Sequence, residues 1–309
     1  MMPPPEYVSV VHPVGQAIER VKRVLFQPFD LGKWFAIGFC AWLANLGRGG
    51  FQGHFNVGPG HGSAANQIRE RVEQARDYIT NNLSWILPLA AVVLLLGFAI
   101  WLLVIWLSSR GRFMFLHCIV LDKAEVAVPW RKFAREANSL FWFRLVVGLV
   151  GLVATLPLVG VMAITGWRML ERGEPSVRGI LELVGVGLVL LLVGAVFWVV
   201  AKLTTDFVVP IMFLRSGKCL QGWGVLLGLL AGNLGRFVLY FLFRIILALA
   251  IFVLLLTAVL ATCCIAGCMM VIPYLGTVVL LPIHVFRRSY SIYYLAQYGA
   301  EYDVFRLPQ

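Results

Sequence analysis

The chain reads as an all-α membrane protein: six transmembrane helices in three hairpins, each hairpin preceded by a cytoplasmic amphipathic interfacial helix. Three observations predict this fold. Hydrophobic residues make up 60% of the 309 and charged residues only 13%, against about 25% charged in a soluble domain. Mean hydropathy is +0.85. Long apolar stretches recur along the chain, and basic residues collect in every second segment between them. The whole of 1–309 reads as one integral membrane domain.

Taken in order, Met1–Tyr7 has neither a basic nor an apolar run, so no cleaved signal peptide is expected and the first span serves as the insertion signal. Val14, Ile18, Val21 and Leu25 then recur at i, i+4, i+7, i+11, with Gln16, Glu19, Arg20 and Arg23 on the other faces. That is a basic amphipathic helix suited to a headgroup layer, and Pro28 ends it. Residues 31–46 form the shortest span; Lys33 is expected to snorkel from it, and a re-entrant or interfacial segment is the alternative. A loop with seven glycines follows at 47–66, containing His54 and His61 with no carboxylate nearby. Ile68, Val72, Ala75 and Ile79 predict a surface helix before the second span, so 47–83 is an outer loop plus helix.

Five segments pass easily as spans: 84–108, 141–166, 179–204, 237–261 and 269–291, each near or above the roughly 20 apolar residues a bilayer needs. Trp85, Trp106, Trp142 and Trp167 stand near their ends, where indoles favour the interface. Further amphipathic helices are expected around Pro129–Glu136 and Gly222–Gly232. Trp130 and Trp223, and Asn138 and Asn233, fall at matching points, a faint sign of a degenerate repeat.

The net charge of +11 would suggest nucleic acid in a soluble chain; here it reads as topology and no nucleic-acid partner is expected. In the six-span arrangement 17 Lys and Arg fall on the side of the termini and seven on the other, with Arg144 and Arg244 inside apolar stretches. The positive-inside rule then puts both termini in the cytoplasm of an inner-membrane, multi-pass protein, with anionic lipid headgroups as partners on that face.

Catalytic signatures are missing: the sequence has no G-x-S-x-G, H-E-x-x-H or Walker A pattern, and no cofactor is implied. Cys263, Cys264 and Cys268 lack the second pair or histidine that would complete a zinc site, so a packing role is expected. Ionisable groups inside spans are costly and are therefore the functional candidates. Arg144, Asp206 and Arg244 form the candidate anion or lipid-headgroup site, with Asp206 pairing with one of the two arginines as the structural reading. Glu182, Lys202, His117 and His284 are secondary. Gly224, Gly228 and Gly232, at i, i+4, i+8, present a smooth stripe for close helix packing, either internal or in an oligomer. Pro157, Pro273 and Pro282 predict helix breaks of the kind seen at transport sites. Tyr290, Tyr294, Tyr298 and Tyr302, four apart, predict an aromatic packing stripe, with partner docking as the alternative.

Asp206-Phe207-Val208-Val209-Pro210-Ile211-Met212 resembles a segment of uncharacterised polytopic bacterial membrane proteins. So do Ile272-Pro273-Tyr274-Leu275-Gly276-Thr277, Leu281-Pro282 and Phe286-Arg287-Arg288-Ser289-Tyr290-Ser291. The resemblance, over about 13–305, is to relatives of the membrane domain attached to some glycerophosphodiester phosphodiesterases. Their soluble catalytic barrel has no counterpart here, so activity does not carry over. The resemblance implies a six-helix domain. The expectation is a non-enzymatic scaffold or membrane-environment and assembly protein, with a protein partner or homo-oligomer allowed. A small transporter or lipid/anion-handling protein is the second reading.

Overall fold

The computed structural model of the protein describes residues 8–47, 78, 80–172, 176–262 and 272–306. Its regular elements among these residues are all helical. They are α1 (His12–Phe26), α2 (Leu31–Asn45), α3 (Leu83–Leu121), α4 (Ala127–Lys132), α5 (Ala134–Arg172) and α6 (Val177–Leu203). A π turn (Thr204–Val208) leads into α7 (Val209–Arg215), followed by α8 (Cys219–Ala261), α9 (Pro273–Val279), α10 (Leu281–Ala296) and two 3-10 turns, Ala300–Tyr302 and Val304–Arg306. Among the described residues four helical stretches are long and apolar enough to cross a membrane: Leu83–Leu121, Ala134–Met169, Val177–Arg215 and Cys219–Ala261.

The two remaining expected spans take another form. The 31–46 stretch folds as the 15-residue α2, about 22 Å long, short of the roughly 30 Å hydrocarbon layer. Its start is fixed by Asp30, whose Oδ1 accepts from the Gly32 N–H at 2.8 Å. The described part of 269–291 is split at Leu280 (φ −84, ψ 6), because Pro282 stands in the first turn of α10 and withholds an N–H from the helix before it. The glycine loop with His54 and His61, most of the predicted surface helix at 67–82, and Cys263, Cys264 and Cys268 lie outside the described residues.

The chain divides into two compact units. The first comprises Met1–Arg48, Ile105–Phe143 and Ala201–Gln309. Its core joins Val24 and Leu25 of α1, Ile37, Cys40, Ala41 and Leu43 of α2, Met114, Phe115 and Ile119 of α3, and Leu281 and Val285 of α10. Two glycines permit this packing. A Cβ on Gly111 would lie 2.5 Å from the Ala44 nitrogen and the Leu43 carbonyl carbon, and one on Gly38 would lie 2.7 Å from Val278 Cγ2. Backbone therefore packs directly on side chain or backbone at both places.

In the same unit the buried face of α1 is Pro13, Ala17, Arg20, Val24 and Leu25, one residue out of step with the expected stripe; Ile18 is exposed. Arg20 explains the shift. Its Nε donates to the Ile119 carbonyl at 3.0 Å and its Nη2 to the Val120 carbonyl at 2.8 Å. A cation thus meets the last open carbonyls of α3, where the helix dipole favours positive charge. Asp122, next after α3, takes a left-handed φ of 56° and pairs with Lys33 at 2.9 Å, so Lys33 is held by a carboxylate. The chain ends are tied together: Ser9 and Gln297 exchange two hydrogen bonds of 2.8 and 2.9 Å, and the Tyr290 hydroxyl donates to the Val10 carbonyl at 3.0 Å.

The second unit comprises Gly49–Val104 and Arg144–Val200. Its described helices meet through small residues. A Cβ on Gly148 would rest 3.7 Å from Trp101, and one on Gly151 3.5 Å from Phe197. Most of their large apolar side chains face outward, including Leu94, Leu95, Val153, Leu181 and Leu191.

A buried arginine cluster around a π turn

The π turn has a local cause. Pro210 carries no N–H for the Asp206 carbonyl, and its ring crowds that oxygen. The chain widens by one residue, and the Val209 N–H reaches back to the Thr204 carbonyl. All five residues of the turn, Thr204–Val208, are buried.

Asp206 points from this turn to Arg244 on α8, and the Arg244 Nη1 donates to its Oδ2. The same nitrogen lies 2.8 Å from the Tyr240 hydroxyl. Both charged side chains are nearly enclosed, at 5% exposure for Asp206 and 14% for Arg244. Thr205 anchors two more arginines. Its Oγ1 accepts from Arg112 Nη1 of α3 at 3.0 Å and donates to the Ala201 carbonyl at 2.8 Å. Its carbonyl accepts from Arg288 of α10. Around them Phe207 packs on Phe237, Tyr240 and Tyr294 with ring centroids 5.3, 5.0 and 6.2 Å apart. The cavity beside Arg244, lined also by Leu247, Phe286 and Tyr290, holds about 10 Å³, room for a single water at most.

Of the three expected site residues, the structure joins Asp206 and Arg244. Arg144 lies in the second unit. Glu182 is a surface partner of Arg178 at 3.4 Å. His117 is buried, its ring edge-on to Phe133 and Phe213. At Gly224, Gly228 and Gly232 a Cβ would meet nothing within 4 Å, so no described element packs on that stripe. The helix carrying it bends just beyond, at Asn233 (φ −141, ψ 32). The tyrosine stripe is internal packing: Tyr290 and Tyr294 are fully buried against α8, and Tyr298 and Tyr302 are 8% exposed. The helix itself stops at Ala296, so the last two tyrosines reach the same body through turns around Gly299.

Arg20, Arg112 and Arg288 are the residues that sequence reasoning missed. Arg112 precedes the apolar run Phe113-Met114-Phe115, which is its available signal, whereas Arg20 lies among charges in Glu19-Arg20-Val21-Lys22-Arg23 and carries none. No curated protein and no solved structure matches the chain. One family does, across residues 8–275, and nothing in that match links the chain to glycerophosphodiester phosphodiesterases. The chain belongs to DUF7544, a family of unknown function.

Proposed function

We propose that the chain is a non-enzymatic, multi-pass protein of the inner (cytoplasmic) membrane, acting as a scaffold or assembly element. The observation that carries this reading is the closed Asp206–Arg244–Tyr240 contact. Its charges are neutralised by each other, and the adjoining space admits one water at most. A permeation or headgroup site needs room for its cargo beside the charged groups.

A six-pass topology with cytoplasmic termini is part of the proposal. Arg20 and Lys33 hold α1 and α2 to the end of α3 at residues 119–122, and α10 packs on α8 through Tyr290 and Tyr240, stacked at 5.6 Å. If α3 and α8 each cross the bilayer, the chain also crosses once between α1 and Leu83 and once between Ala261 and α10. With the four long helices this makes six crossings. The 17-to-7 excess of basic residues favours the cytoplasm for the termini.

The second reading, a small transporter or lipid/anion-handling protein, draws on the π turn. An irregular turn bearing a carboxylate within an apolar helix is a recurrent feature of functional sites. D206N and R244Q separate the two readings. For a scaffold both variants lose thermal stability in detergent, while lipid content and ion flux of the surviving folded fraction stay unchanged. Variants as stable as the wild type that lose a bound lipid or a flux overturn the scaffold reading. Cysteine labelling at residues 47–66 that occurs only from the cytoplasmic side overturns the orientation.

A further inference from the structure

Arg110 has an unusual setting. Trp106 stands one turn before it on α3, and Trp130 comes from α4. The two indoles meet edge to face at 5.7 Å with an interplanar angle of 89°. The guanidinium carbon sits in the corner they make, 4.6 Å from one ring centroid and 4.7 Å from the other. Arg110 Nη1 donates to the Trp130 carbonyl at 3.3 Å. Nε is buried and meets no acceptor, and among the described residues no carboxylate pairs with this side chain. Three other arginines of the same unit pair with carboxylates, Arg244 with Asp206, Arg215 with Glu301 and Arg306 with Asp303, and Arg20 meets two backbone carbonyls.

Ring faces hold the guanidinium flat but do not neutralise it. Nε is covered, so Nη2 is the donor left to reach outward, and an anionic phosphate oxygen is the acceptor that both takes its N–H and neutralises the charge. Depth points the same way. Along α3 large side chains are exposed up to Leu103, Ile105 is already covered, and from Ser108 to Val120 every residue but the half-buried Arg110 is buried. Trp106 and Arg110 stand at that change, the level at which indoles and phosphates meet at a membrane surface. Arg131 and Lys132 on α4 are exposed and add positive charge beside Trp130.

We propose that Arg110, clamped by Trp106 and Trp130, binds the phosphate group of a membrane phospholipid. The site shares no residue with the Asp206–Arg244 contact and does not rest on the scaffold reading.

The test is lipid retention by the purified full chain, read by native mass spectrometry. Micelles carry equal amounts of phosphatidylglycerol and a phosphate-free galactosyl diacylglycerol with the same acyl chains. The wild type is expected to keep the phospholipid and shed the galactolipid. R110Q is expected to lower phospholipid retention about tenfold, the scale of a lost charge-assisted pair. R110K loses most of it too, because an ammonium does not lie flat on indole. Millimolar inorganic phosphate separates the sources: displacement of the lipid marks a site for phosphate in any form, and resistance marks one that also needs the acyl chains. Equal retention of both lipids by the wild type overturns the assignment, as does unchanged phospholipid retention by a folded R110Q. The wild-type comparison stands whether or not the variants fold.

Discussion

The two halves of α3 belong to one unbroken helix and end in different surroundings. From Leu83 to Val104 the large side chains mostly point outward, with Leu94 72% and Leu95 70% exposed. From Ile105 to Val120 nearly all are buried, and so are Ser108, Ser109, Arg112 and His117. The first half carries no charge; the second half spends its polar groups on neighbours, as when the Ser108 hydroxyl donates to the Ala44 carbonyl at 3.1 Å. Hydropathy falls from the first half to the second. What distinguishes them is a polar side chain every few residues, which a lipid-facing surface penalises and a protein interior can satisfy.

The sharpest way to break this comparison is a pair of alanines on the one helix. Gly111→Ala puts a methyl 2.5 Å from the α2 backbone and is expected to cost about 1–3 kcal/mol through overpacking. Gly97→Ala meets nothing within 4 Å and should be neutral or slightly stabilising. Thermal melts of both variants in one detergent check this, and similar shifts for the two would erase the distinction. Next is Arg20→Gln, which removes the cation from the open carbonyls of α3 and should destabilise by about 1.5–3 kcal/mol. Hydrogen exchange should show fraying confined to residues near Ile119 and Val120.

A smaller effect is expected at high pH. Burial pushes the Tyr294 and Tyr298 phenols above their ordinary value. The unfolded chain releases these protons near pH 10 while the native fold retains them, so the fold binds more protons and its stability falls as pH rises above about 10. Below that pH the two states are equally protonated and no effect is expected. Melts from pH 8 to 11 should bend downward only at the alkaline end, and Tyr294→Phe should soften the bend. The smallest effect belongs to the second unit. Glu182→Gln breaks an exposed pair whose arginine is 91% exposed and should stay within roughly 0.5 kcal/mol of the wild type.

The long helices were legible because nothing but a span explains their apolar runs, and the Asp206–Arg244 pair because charge inside such a run demands a partner. The face of α1 was displaced by one position because Arg20 looks solvent-seeking until the carbonyls it meets are known. Arg112, one turn beyond the 84–108 stretch, and Arg288, near the end of 269–291, counted as cytoplasmic charge because at a span end an interfacial residue and a buried one look alike. Residues 31–46 have the hydropathy of a span, yet Asp30 and the turn after Asn45 limit α2 to 15 residues. The glycines show the same limit: Gly224, Gly228 and Gly232 advertise packing by their spacing, whereas Gly111, alone in its run, is the one pressed against another backbone.

The π turn has a consequence for the length of the chain. It accommodates one residue more than an α-helix would, so it behaves as an inserted residue carried in place. The helix faces on either side therefore keep the placement they would have without it, and the turn alone holds the surplus. A second inserted residue has no such turn to enter, and each residue beyond it would rotate about 100° against those before it. Either Asp206 or the Pro210–Phe213 face would then have to leave its partners, so this segment has already used the one gain of length it can store.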